Sequence, residues 1–248
     1  AASYAFRNQL AYQGEVDVRD GHFSAEWRMP LDLVLAWGKG KILTYAQGGL
    51  RDAAGSNSDL FLGDLASDAP VDTTGPLLRV FMDDTSFVNG GITGADPLGL
   101  VRLADPNGIN AIGAGIGHDL VGYLDENWRE PLVMNDRYQA DPNTYQRGTA
   151  TWPFVGLSDG PHRFTVRAWD TYNNPRQASV EFLVISRDQL KLGAVRLFPN
   201  PTPGWTTWQV EHNASGDSLQ VDWTVTDGSG RAVWAHQWVG RATSSVLQ

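Results

Sequence analysis

Cysteine is absent from the 248 residues, and that absence removes a thiolate nucleophile, a disulfide framework and a Cys-based zinc site together. A basic surplus is missing as well. Lys and Arg number 19 against 28 Asp and Glu, for a formal charge of −9, whereas a nucleic-acid surface needs a basic footprint. No Lys/Arg cluster suits an anionic membrane surface either. Long apolar runs are lacking: Leu31-Asp32-Leu33-Val34-Leu35-Ala36-Trp37 is short, is broken by Asp32 and cannot span a bilayer. Long amphipathic helices are equally hard to find. What remains is 42% hydrophobic with ten Trp, nine Phe and seven Tyr, enough to bury sizeable cores. The 27 Gly and 13 Pro punctuate many short strands, and the length allows two to three sandwich modules of about 100 residues each.

Three segments separate by composition, and all read as β. The first, residues 1–66, is expected to form a partial β-sandwich module. Its strongest signal is a hairpin, Leu10 to Val18 and His22 to Met29 around Arg19-Asp20-Gly21, because Asp-Gly tolerates the positive φ of a tight turn. In the return run Phe23, Ala25 and Trp27 alternate with Ser24, Glu26 and Arg28, which predicts one buried and one wet face. Lys41 to Ala46 reads as another strand. Gly48 to Pro70, rich in Gly, Ala, Ser and Asp, reads as loop and linker, with the module boundary at 67–74.

The second segment, 75–187, is predicted to be a complete immunoglobulin-like sandwich. Leu78, Val80 and Met82 alternate along one strand, Val101 and Leu103 lead into the turn Asp105-Pro106-Asn107-Gly108, and Phe164, Val166 and Ala168 precede Asp170-Thr171-Tyr172-Asn173-Asn174-Pro175. Ala178, Val180, Phe182 and Val184 close it. Short strands of period two with turn chemistry between them are how an antiparallel sandwich reads. A short helix is expected around Arg187 to Leu192. The third segment, 188–248, shows alternation in Leu219, Val221, Trp223 and Val225 before Asp227-Gly228-Ser229-Gly230. Both end modules supply about three or four strands against roughly seven for a full sandwich. Each is therefore expected to be incomplete and to lean on the middle module or pair through strand edges, with Trp27 or Trp223 at the interface.

Several side chains could carry chemistry. His118-Asp119 mimics a base beside its orienting carboxylate, but neighbours in a strand point to opposite faces, and no Gly-x-Ser-x-Gly elbow supplies a nucleophile. His22, His162, His212 and His236 lack ligand spacing such as His-Glu-x-x-His. The turns Asp105 to Gly108 and Asp170 to Asn174 could both offer oxygens to Ca²⁺, although Asp and Asn are also the ordinary residues of tight turns. Asp125-Glu126 with Glu130 offers paired carboxylates for hydrolysis, at a separation that sequence does not supply. Trp27, Trp208 and Trp223 read as core. Trp128, Trp152 and Trp205 lie near turns, where exposed rings would stack sugars in a carbohydrate-binding module. Asn213-Ala214-Ser215 matches the N-glycosylation pattern. The balance of these readings assigns no catalytic, cofactor-binding or metal residue.

Five stretches carry a resemblance. Gly40 to Ala46, Met82-Asp83-Asp84-Thr85-Ser86-Phe87-Val88-Asn89-Gly90-Gly91, Asn107 to Asn110 with Gly115 to Asp119, Leu132 to Asp141, and Ala168 to Asn174 resemble the PorU family, the gingipain-like sortases of the type IX secretion system. Phe198-Pro199-Asn200-Pro201 with Val225 to Gly230 is similar to the start of the FlgD-like domain that ends many such secreted proteins of the Bacteroidetes type. The resemblance implies a cell-surface, outer-membrane cysteine peptidase that removes C-terminal secretion signals and joins cargo to lipopolysaccharide. Its Cys/His pair lies in an upstream domain, so no catalytic residue carries over to any position here. What carries over is the non-catalytic β-sandwich region. The partners it implies are the protein's own peptidase domain and outer-membrane secretion components, with further FlgD-like strands expected after Gln248.

Overall fold

The computed structural model describes residues 10–33, 38–49, 51–63, 71–113, 115–185 and 190–247. Among them are eighteen strands, one 3₁₀ turn at Asn135–Arg137 and no α-helix, so the all-β reading holds. Among the described residues no helix is long and apolar enough to cross a membrane.

The centre is a two-sheet sandwich. Strands β5 (Leu77–Met82), β7 (Leu98–Ala104), β11 (Arg147–Pro153) and β10 (Tyr138–Ala140) form one antiparallel sheet in the order β10-β11-β7-β5. The other has the order β6-β13-β12-β8-β9, from β6 (Gly91–Thr93), β8 (Val121–Leu124), β9 (Leu132–Val133), β12 (Gly160–Trp169) and β13 (Pro175–Val184). Only its edge strand β6 runs parallel to its neighbour. Alternation decided the inner faces as expected: Leu78, Val80, Met82, Val101 and Leu103 meet Phe164, Val166, Ala168, Val180, Phe182 and Val184 in one buried cluster.

Phe164 sets the spacing of that core. It packs edge-on to Phe154 with centroids 5.1 Å apart, and its ring is held between two glycines. A Cβ on Gly99 would lie 2.8 Å from the ring and one on Gly122 2.5 Å, so both positions exclude side chains for the aromatic to fit.

The flanking segments differ from their sequence reading. Around Asp20 and Gly21, at φ 51° and 77°, the expected turn forms with paired bonds between Arg19 and His22. The runs on either side form no ladder, however, and Phe23 is 52% exposed. An isolated two-stranded hairpin is marginal in water, and residues 10–33 instead lie as a strap on the sandwich. The Glu15 carbonyl accepts the Asn143 N–H at 2.9 Å, and the Leu31 N–H donates to the Thr171 carbonyl at 2.9 Å.

The stretch expected to be loop and linker is in part a strand. Arg51–Asn57 is β3, which pairs residue for residue with β2 (Ile42–Gly48), while the short β1 (Gly38–Lys39) pairs with β4 (Phe61–Leu62). Pairing with β2, which covers most of the strand expected at Lys41 to Ala46, overrode the weak propensity of Gly, Ser and Asn.

In the last segment β14 (Leu192–Phe198), β15 (Thr207–His212) and β18 (Val246–Leu247) make a three-stranded sheet. Strands β16 (Ser218–Thr226) and β17 (Ala232–Arg241) make a separate ribbon. Trp208 joins the two by packing edge-on against Trp223 at 5.1 Å. The helix expected around 187–192 falls partly outside the described residues, and strand β14 already begins at Leu192.

Candidate functional site

Two polar clusters share one end of the sandwich, and both are built on the turn between β12 and β13. The Asp170 backbone N–H donates to the Asn174 carbonyl at 3.2 Å. Its side chain, fully buried, accepts the backbone N–H groups of Tyr172 at 2.9 Å and Asn174 at 2.7 Å and the Asn174 amide at 2.8 Å. This is an Asx-type turn closed by its own aspartate. The loop after β7 does the same: Asp105 accepts the Asn107 N–H at 2.7 Å, and its carbonyl accepts the Gly108 N–H at 3.1 Å. The Thr171 hydroxyl then ties the two turns together through the Asn107 carbonyl at 2.8 Å.

Asp72 completes the first cluster. Its carboxylate accepts the Asn107 amide at 2.5 Å and the Thr74 N–H and hydroxyl at 3.0 and 2.8 Å. One oxygen each from Asp72, Asp105 and Asp170 lie within 4.8 Å of one another. Sequence reasoning named both turns as oxygen donors but missed Asp72, whose only signal was the Asp-x-Thr turn pattern within the assigned linker. Three carboxylates are the donor set of a hard cation such as Ca²⁺, which takes six to eight oxygens. The same oxygens close the turns by accepting N–H groups.

Burial without enough opposing charge raises the Asp105 carboxyl to about 6, with Asp170 and Asp72 adding repulsion and the Asn107 N–H offsetting part of it. The folded state therefore holds this proton more tightly than the unfolded chain does. Stability falls as pH rises from near 4 to near 6, and the full penalty persists above that window. Each tenfold gain in proton affinity on folding corresponds to about 1.4 kcal/mol. Asp105→Asn is therefore expected to stabilise the protein at pH 7, by about 1 kcal/mol once solvent screening of the cluster is allowed for. Urea melts at pH 4 and pH 7 would check this, the variant gaining on the wild type at pH 7 but not at pH 4.

The second cluster joins the strap to the sandwich. Asp32 is nearly buried and accepts three side chains at once: the His118 ring at 2.7 Å, the Asn110 amide at 2.6 Å and the Asn173 amide at 2.8 Å. His118 thus pairs with a carboxylate 86 residues away rather than with Asp119, and its ring leans on Trp169 at 4.3 Å. Asp32 had entered the sequence reading only as a break in an apolar run. Asp32→Ala strands three donors and is expected to loosen the strap by about 2 kcal/mol. Trypsin should then cut at Arg19 and Arg28 on the order of tenfold faster, while the sandwich keeps its circular-dichroism spectrum.

The remaining candidates are tied into the fold. His162 is bonded to Asp125 at 2.7 Å and to the Ser158 carbonyl at 2.8 Å. Burial works against its charge, but the Ser158 carbonyl and then Asp125 outweigh it and raise its pKa. Asp125 also accepts the Arg163 N–H, Glu126 reaches the Arg163 guanidinium and Glu130 accepts the Asn127 amide. His212 is fully buried, and burial lowers its pKa. His236 stacks on Trp234, and His22 sits in the strap's turn. Asn213 is 1% exposed and bonded to Ile185 and Lys191, which keeps its sequon from an external enzyme.

Among the tryptophans, Trp27 stacks on Tyr12 and Trp152 lies under the Arg137 guanidinium. Trp128 is 53% exposed and Trp205 69%.

No family model matches this chain, and no curated protein matches it. A solved structure is similar to it. The crystal structure of dimeric latent PorU from Porphyromonas gingivalis aligns over 93% of this chain and 22% of that chain, at 25% sequence identity and a TM-score of 0.47. The chain thus spans less than a quarter of that protein's length.

Proposed function

We propose that this chain is a non-catalytic β-sandwich region of a sortase-like cysteine peptidase of the type IX secretion system. In this reading it braces the peptidase domain and docks outer-membrane secretion components at the cell surface. The observation that carries the reading is how the polar groups are used. His118–Asp32 fastens the strap to a loop of the sandwich, His162–Asp125 fastens strand β12 to the turn after β8, and the three clustered aspartates close turns. Such bonds stiffen a scaffold. A thiol mechanism needs a cysteine, which the chain lacks, and the stretches quoted above resemble the region that follows the peptidase domain in that family.

Two measurements on the purified chain test this. It is expected to leave a peptide bearing a C-terminal secretion signal uncut. It is also expected to bind, saturably, either the separately produced Cys/His peptidase domain or detergent-solubilised outer-membrane secretion components. Cleavage that survives removal of contaminating protease, or failure to bind either partner, would overturn the proposal.

A further inference from the structure

His162 is held at both nitrogens of its ring. Nδ1 lies 2.7 Å from the Asp125 carboxylate and Nε2 2.8 Å from the Ser158 carbonyl. A carboxylate and a carbonyl only accept, and a neutral imidazole has one N–H, so the two bonds together require the doubly protonated ring. That ring is nearly buried and stacks on Phe182 with centroids 5.6 Å apart. The turn it grips, after β8, is one this sequence does not favour. Asp125 and Glu126 both stand in the left-handed region, at φ 50° and 58°, where consecutive residues are normally Asn or Gly. The Asp125 N–H donates to the Arg163 carbonyl at 2.8 Å and the Asn127 N–H to the Leu124 carbonyl at 2.9 Å. Beyond them the half-exposed Trp128 packs on Tyr123.

We infer that His162 is a proton-operated clasp, which when charged fastens the turn after β8 to the loop before β12 and on losing its proton lets the turn go. Asp125 and Glu126 from the turn, Glu181 from β13 and Arg163 from β12 line the same shallow depression as the ring, and Asp159 stands beside Ser158 in the chain. Arg163 is paired with Glu126 and Glu181, which leaves Asp125 to the imidazolium. Burial disfavours the charged ring, but the Ser158 carbonyl and then Asp125 outweigh it, so the folded pKa stands above the unfolded value. The clasp's contribution to stability is therefore complete below about pH 6.5 and is lost as pH rises through the folded pKa. A neutral ring cannot hold both oxygens. Of the two elements, the left-handed turn stores the strain that opening relieves. The inference goes beyond the bracing role, since it makes the surface around Trp128 depend on pH.

NMR titration of the full chain tests the clasp. The His162 ring, assigned by the signals lost in His162→Gln, is expected to titrate above about pH 6.5, and Asp125→Asn to bring that midpoint down. As the ring loses its proton, protection of the Asp125 and Asn127 amides should fall roughly fivefold, after correction for base-catalysed exchange. The amides of Val166 and Val180 in the core should stay protected throughout. In His162→Gln the turn should be loose from the start and show no step with pH. Should that variant not fold, Asp125→Asn remains informative, because the step must move to lower pH together with the ring. A ring that titrates at or below pH 6.5, turn protection that does not follow the ring, or a step that survives His162→Gln would overturn the inference.

Discussion

Val166→Asp is expected to unfold the central sandwich or cost it on the order of 5 kcal/mol. Val166 is fully buried on β12, opposite Ala178 on β13 and Gly122 on β8, inside the cluster that holds Phe164 and Phe182. A carboxylate placed there has no cation within the core to meet it. Protonating it spares the charge but leaves an unpaired polar group among aliphatic and aromatic neighbours. Chemical denaturation followed by tryptophan fluorescence would measure the loss. The exposed Leu77, 57% accessible on β5, supplies the control, and Leu77→Asp should shift stability by no more than about 0.5 kcal/mol. A Val166→Asp variant that melted with the wild type would show that β12 presents its other face to the core.

Asp170→Ala carries the second large effect, about 3 kcal/mol of destabilisation. Three donors lose a charged acceptor, namely the Tyr172 and Asn174 N–H groups and the Asn174 amide. Relief of repulsion with Asp105 and Asp72 returns only part of that. Because the β12–β13 turn also holds Thr171 against the strap and Asn173 against Asp32, the damage should spread beyond the turn. Hydrogen exchange is expected to speed up in residues 105–110, 170–174 and the strap together, with β7 and β11 still protected. Exchange confined to the turn itself would show that the two clusters are independent. Asp170→Asn keeps two acceptor lone pairs and should recover part of the loss.

Alternation alone made the middle strands legible. In a half-buried strand every second residue must be apolar, so Leu78/Val80/Met82 and Val180/Phe182/Val184 announced both strand and inner face. The turns were legible for an equally local reason: Asp105-Pro106-Asn107-Gly108 and Asp227-Gly228-Ser229-Gly230 bond within four or five residues, and their side chains favour that geometry wherever they occur.

What the sequence determined by itself was therefore the all-β class, the inner faces of the central sheets, the tight turns, and, through the absence of cysteine, the exclusion of thiol chemistry. Tertiary structure decided the rest. It chose whether the alternating run around Trp27 became a strand or a strap, since that depended on where its backbone groups found partners on another part of the chain. It made Arg51–Asn57 a strand by giving it a neighbour to pair with. It brought Asp72 to Asp105 and Asp170, and Asp32 to His118, across separations of tens of residues. Such meetings are fixed by the order in which strands pack and by the burial that packing enforces, and no local pattern of side chains records them.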